Sequence, residues 1–163
     1  YPGSFVDWGI NQIGNDAPNT WRTLSQEEWL YLLNTRTNAA SLKGVAQVNG
    51  VNGTIFLPDN WTCPSDVTFK SGSAGYGIDF YAGHQSFTAE QWAVLEAAGA
   101  VFLPAAGNRG GWNVFDVQYC GYYWSSTEGG NNGAYYLINY SDISGVNYYN
   151  RASGYSVRLV KDL

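Results

Sequence analysis

The spacing of apolar residues changes character along the chain. In "TLSQEEWLYLLNTR", Trp29, Leu32 and Leu33 recur at helical intervals, and in "SFTAEQWAVLEAAG", Trp92 and Leu95 do the same while Glu96 turns away from their face. Both runs open with the same device. Ser25 is placed to cap the backbone while Glu28 reaches back to it, and Leu24 can pack on Trp29 across the first turn. Thr88, Gln91, Phe87 and Trp92 repeat the arrangement. Gly99 supplies a left-handed stop. The pattern predicts two helices, each laid on something apolar.

Elsewhere the apolar runs shorten or alternate. "TIFLPDNW" and "AVFLPAAG" read as short buried strands ended by Pro58 and Pro104, which cannot donate to a continuing ladder. "GYYWSST", "AYYLINY", "GVNYYN" and "YSVRLV" follow with turn signals between them, which predicts an antiparallel meander. Residues 44–53 ("GVAQVNGVNG") read as a small hairpin, whereas 59–87 and 107–121 are too rich in glycine for regular elements. The expected class is therefore α+β, two helices packed on small antiparallel sheets with long irregular loops. With 163 residues, 45% of them hydrophobic, one core and one domain spanning 1–163 are expected.

Composition narrows the partners. Charged residues make up 13% of the chain and aromatics 17%, so Asn, Ser, Thr, Tyr and Gly must cover much of the surface. A net charge of -5 with only eight Lys and Arg argues against a nucleic-acid partner, whose phosphates are tracked by clustered basic residues. No apolar run approaches the roughly 20 residues that span a bilayer, and no basic-then-apolar leader stands at Tyr1. Direct membrane insertion by this domain is not expected, and any export signal or anchor is expected outside the sequence. Cys63 and Cys120 can pair or remain buried thiols. Neither stands in a Cys-x-x-Cys context and His84 is the sole histidine, so neither a zinc site nor a Cys-His nucleophile is expected.

Five stretches taken together, "WRTLSQEEWLYLLNTR", "GTIFLPDNW", "GAVFLPAAGNRG", "GYYWSST" and "GYSVRLVKD", resemble bacterial and phage surface domains with a C-type-lectin-like fold related to the formylglycine-generating enzyme. The resemblance runs from Trp21 to Asp162. Members whose last stretch leads from a "YWSS" strand to a "VR" strand are similar to the variable proteins of diversity-generating retroelements. In those systems an error-prone reverse transcriptase alters adenines in a template, and the copy replaces the end of the target gene. The resemblance implies a C-type-lectin-like fold, a ligand-binding rather than catalytic role, and a place outside the bacterial cell or on a phage virion. It also implies a protein or glycan on a cell surface as partner, and no cofactor.

The segment "NYSDISGVNYYNR" fits that implication. An asparagine codon begins with two adenines, and changing either or both yields Tyr, Asp, Ser or Ile beside retained Asn. A variable region over 131–153 is expected, with Tyr136, Asn139, Tyr140, Ser141, Asp142, Ser144, Asn147, Tyr148, Tyr149, Asn150 and Ser153 as ligand-binding positions. The same residues are ordinary for a polar strand and its turns. They are also the chemistry of antibody paratopes, with tyrosine giving contact area and Ser and Asn adaptable hydrogen bonds. Strand alternation places Tyr136, Ile138 and Tyr140 on one face of "AYYLINY" and Tyr135, Leu137 and Asn139 on the other. With Tyr135 and Leu137 read as inward, Tyr136 and Tyr140 face outward. Asn139 suits the inner face only if the strand ends there.

The flanks read as scaffold. Trp124 is expected to be buried, with Ser125 and Ser126 bonded to backbone rather than catalytic, since no nucleophile elbow accompanies them. Val157 and Leu159 share one face of "YSVRLV", Ser156 and Arg158 the other. Arg109, Arg151 and Arg158 either bond loop oxygens or are solvated. Catalysis of the copper-oxidase branch of the fold is not carried over, because its pair of neighbouring cysteines near the end of the chain is missing here. Calcium-dependent sugar binding is not expected either, with Asp59, Asp116 and Glu128 read as loop caps or solvated charges. The remaining rival is a fixed structural or carbohydrate-binding module of a bacterial surface or pilus protein.

Overall fold

The computed structural model describes residues 6–130, 132–141 and 144–162. In chain order the regular elements are β1 (Trp21–Thr23), α1 (Gln26–Leu30), β2 (Lys43–Val48), β3 (Val51–Phe56), α2 (Phe80–His84), β4 (Ser86–Phe87) and α3 (Ala89–Ala97). They continue with β5 (Val101–Pro104), β6 (Asn108–Gly110), β7 (Asn113–Phe115), β8 (Gly121–Glu128), β9 (Gly133–Asn139), β10 (Ser144–Asn150) and β11 (Leu159–Lys161). The protein is α+β, with few helical residues and several small sheets. No helix among the described residues is long and apolar enough to cross a membrane.

Both helix starts form as the sequence predicts. The Glu28 amide donates to Ser25 Oγ at 3.2 Å and the Ser25 amide to Glu28 Oε2 at 2.8 Å, so each side chain satisfies a donor the helix leaves open. Thr88 and Gln91 repeat the exchange at 3.3 and 2.9 Å. Gly99 takes a φ of +93° and ends α3. The first helix is shorter than its sequence pattern. After Leu30 the backbone widens into a π turn over Tyr31–Thr35, in which the Arg36 amide bonds the Tyr31 carbonyl. That turn carries Arg36 inward, where its guanidinium bonds the carbonyls of Leu32, Leu42 and Leu57 and the Asp59 carboxylate.

A four-stranded sheet, ordered β4-β2-β3-β5, and a three-stranded meander, β10-β9-β8, carry the core. The expected hairpin at 44–53 is β2–β3, turned by Asn49 and Gly50, both at positive φ as a tight hairpin turn requires. Helix α3 lays Leu95 and Trp92 against Ala46, Ile55 and Phe102 of the larger sheet. Helix α1 and the π turn after it join the two sheets, because Trp29 and Leu33 pack on Phe56 and Leu103 from one and Tyr123 and Leu137 from the other. Its first turn is also bonded to β8: the Gln26 amide donates to Thr127 Oγ1 and the Ser126 amide to the Leu24 carbonyl, both at 2.9 Å.

Four sequence expectations need correction. "YSVRLV" is not a fourth meander strand; its end is β11, which pairs with β1 (Trp21↔Lys161). Residues 59–87 contain α2, held by Tyr81, whose hydroxyl donates to the Tyr119 carbonyl at 2.7 Å. Residues 107–121 contain the β6–β7 hairpin. Cys63 and Cys120 are both free, Cys63 exposed and Cys120 buried, so neither the disulfide nor a pair of buried thiols forms.

Candidate functional site

The described part of 131–153 folds as β9, β10 and the turn after them. Among the described residues β10 pairs with β9 alone, which leaves it the outer strand of the meander. Register sets Tyr148 opposite Tyr135 and Tyr149 opposite Ala134, so the two tyrosines leave the strand on opposite sides. They are 57% and 55% exposed. Asn147 and Asn150 are exposed beside them and shape the local backbone. Asn147 Oδ1 accepts from the Tyr148 amide at 2.8 Å, and Asn150 Oδ1 accepts from the Ala152 amide at 2.9 Å. Ser153 is half-buried.

Four other candidate positions, Tyr136, Asn139, Tyr140 and Ser141, are not on this surface. Tyr136, expected to face outward, is only 6% exposed. The chain after β10 returns beside β8, where the Trp124 amide bonds the Ser156 carbonyl and the Ser156 amide bonds the Tyr122 carbonyl, each at 2.9 Å. This return lays Tyr155 over Tyr122, Trp124 and Tyr136, with ring centroids 4.9, 4.5 and 4.8 Å away. The meander is therefore covered on both faces. Burial raises the hydroxyls of Tyr122, Tyr136 and Tyr155 above the ordinary tyrosine range. The Tyr122 hydroxyl also donates to Asp116 Oδ2 at 2.8 Å. Tyr140, also expected outside, is half-buried with its ring edge-on to Tyr119 at 6.1 Å.

Asn139 and Ser141 are interior. Asn139 is 0% exposed, and neither Oδ1 nor Nδ2 has a hydrogen-bond partner among the described residues. Gly121 stands opposite it, and a Cβ there would come within 2.1 Å of Asn139 Oδ1. Ser141 Oγ accepts from the Gly77 amide at 2.8 Å, which ties the loop before α2 to the end of β9. Ser144 is described through its backbone pairing with Asn139. Asp142 lies outside the described residues.

Beside the tyrosine edge lies a cavity of about 360 Å³ lined by Trp8, Trp124, Tyr155, Arg151 and Ser153 together with the β8 residues Ser125–Glu128. Trp124, expected to be buried, is half-buried and turns toward this cavity. Ser125 is spent on backbone as expected, donating to the Tyr135 carbonyl at 2.9 Å. Arg151 pairs with Glu128 at 3.5 Å on the cavity lining. Sequence reading missed Trp8 and Tyr155 here, because only the tertiary return of the chain brings them to β8. It also missed the β6–β7 hairpin, whose Trp112 is 95% exposed, with Val114 and Val117 exposed nearby. Arg109 at the base of that hairpin exchanges two backbone hydrogen bonds with Gly154, 2.9 and 2.8 Å long, so the hairpin borders the same segment.

Little reactive chemistry converges here. Burial pushes the Cys120 thiol up to about 11, which keeps it protonated and a poor nucleophile. Asp59 accepts from the Tyr31 hydroxyl and Arg36, Asp116 from Tyr122 and Asn108, so both act as loop caps. Among the described residues no three His, Cys, Asp or Glu side chains gather to hold a metal ion. Arg158 is exposed and makes no hydrogen bond or ion pair with a described residue. No protein-family model matches the chain, and neither a curated protein nor a solved structure matches it significantly.

Proposed function

We propose that this chain is a non-enzymatic binding domain of C-type-lectin-like architecture, displayed outside a bacterial cell or on a phage virion. Its ligand face is the outer edge of the meander, with Asn147, Tyr148, Tyr149 and Asn150 at the centre and Ser153 and the neighbouring cavity at the margin. The observation that carries the reading is the pair of tyrosines more than half exposed on a strand whose partner β9 is buried in the core. Large rigid aromatics flanked by asparagines offer contact area at low entropic cost together with adaptable hydrogen bonds. The narrow alphabet of 139–150 supports diversification by a retroelement at the exposed positions, and the partner is a protein or a glycan on a cell surface.

A screen of surface proteins and surface glycans from neighbouring microbes or hosts, with and without EDTA, tests this. Tyr148→Ala and Tyr149→Ala are expected to weaken binding by about 2 kcal/mol each, as central interface aromatics do. Binding is expected to survive EDTA and raised salt. A ligand that is lost with EDTA, or that is unaffected by both substitutions, overturns the reading in favour of a fixed structural or carbohydrate-binding module.

A further inference from the structure

A second recess lies elsewhere on the molecule, between α1, the ends of β3 and β5, and β11. Its volume is about 620 Å³, within the roughly 300–1,000 Å³ typical of small-molecule sites, and none of the candidate residues above lines it. Leu24, Leu32, Phe56, Val101, Leu103 and Val160 make its wall predominantly apolar.

The polar side chains in the wall decide what it can hold, because nearly all are already spent. The Trp21 indole N–H donates to Asp16 at 2.9 Å, the Tyr31 hydroxyl to Asp59 at 2.6 Å, and Lys161 pairs with Asp16 at 3.2 Å. Arg36 is occupied by three carbonyls and Asp59, and Asp59 by Arg36 and Tyr31. One group remains. The Trp29 indole Nε1 has no acceptor among the described residues, but it is sealed from solvent and so does not reach a ligand in the recess. Arg158 is exposed in the wall of the recess and bonds to no described residue. It is a donor and a full positive charge. A guanidinium with free donors beside apolar surface favours a planar anion that can accept two parallel bonds.

We propose that this recess binds a medium-chain aliphatic carboxylate, its chain along Leu32, Phe56 and Leu103 and its acid group held by Arg158. This site is independent of the tyrosine edge.

Calorimetric titration of the protein with decanoate below its micellar range, beside decanol, decylamine and acetate, tests the assignment. Saturable decanoate binding is expected, with decanol and acetate each at least about tenfold weaker, since charge-assisted hydrogen bonds and apolar burial are both required. Decylamine is expected not to bind. Arg158→Ala, at an exposed position that leaves the fold intact, is expected to weaken decanoate binding about tenfold and Arg158→Lys less. Tyr148→Ala with Tyr149→Ala is expected to leave it unchanged. Absence of saturable decanoate binding, equal binding of decanol, or an Arg158→Ala protein with undiminished affinity overturns the proposal.

Discussion

Tyr155 stands 4.5 Å from Trp124, ring centroid to centroid, and 4.8 Å from Tyr136. It is contributed by the return segment rather than by the meander itself. This one side chain closes the sheet face that strand alternation alone leaves open: Tyr136 is buried beneath it, while Tyr149, stacked on it at 6.3 Å, stays more than half exposed, so buried and displayed tyrosines are separated.

The separation is measurable. Tyr155→Ala is expected to cost on the order of 3 kcal/mol, by loss of ring packing and a cavity over Trp124 and Tyr136. The double change Tyr148→Ala, Tyr149→Ala is expected to cost clearly less, about 1 kcal/mol, because both rings are more than half exposed and lean on half-buried rings from one side, Tyr148 on Tyr135 at 6.2 Å and Tyr149 on Tyr155 at 6.3 Å. Urea denaturation of the variants checks this, and similar midpoints for the two would mean that the displayed tyrosines are part of the core.

Asn139 and Gly121 form a coupled pair. Gly121→Ala is expected to destabilise by at least about 2 kcal/mol, since its Cβ would press on Asn139 Oδ1 and on the Pro104 carbonyl at 2.8 Å. Asn139→Leu is expected to be neutral or stabilising by about 1 kcal/mol, because it replaces an unpaired buried amide with an apolar group of similar size. Thermal unfolding of the two single variants decides both signs, and a strongly destabilised Asn139→Leu would show that the amide is satisfied.

The two capping boxes give a third expectation. Ser25→Ala and Thr88→Ala should each cost about 1 kcal/mol, as each removes the acceptor for an otherwise orphaned helix amide. Unchanged denaturation midpoints would contradict the cap geometry.

Alkaline pH is the condition that should unfold this domain. Burial, the first cause in each case, raises the hydroxyls of Tyr122, Tyr123, Tyr136, Tyr140 and Tyr155 above the ordinary value of about 10. A group whose folded pKa is raised contributes stability that is complete below the unfolded pKa and is lost as pH rises through the folded one. Stability should therefore hold to about pH 10 and fall above it, with phenolate absorbance from these residues rising together with loss of near-ultraviolet circular dichroism. Phenolates appearing in full while that dichroism stays native would refute the burial of the cluster.

Local chemistry made the helix starts legible. Ser25 with Glu28 and Thr88 with Gln91 are contiguous patterns whose hydrogen bonds close within one turn, and the Asn49-Gly50 turn is equally local. The π turn after Leu30 was not legible, since what draws Arg36 inward is a set of carbonyls and a carboxylate, two of them more than twenty residues away. The same holds for the candidate site. Tyr148 and Tyr149 were readable as surface from composition, but Tyr136 and Tyr155 were not, because alternation gives two faces and says nothing of a later segment that covers one. Ser141 fits the codon pattern of a variable position, yet its hydroxyl is engaged by Gly77 from another loop.

The β1–β11 pair bears on how the domain responds to force. Trp21 lies opposite Lys161 in an antiparallel pair, so tension pulling these two residues apart acts at one end of a two-stranded ribbon. Such tension loads its hydrogen bonds one after another, as in unzipping, rather than all together as in shear. On the N-terminal side Asp7, whose carboxylate accepts from the Thr23 amide, clamps the far end of β1. A load that reaches Trp21 and Lys161 together would thus peel β11 from β1 at low force, up to that clamp.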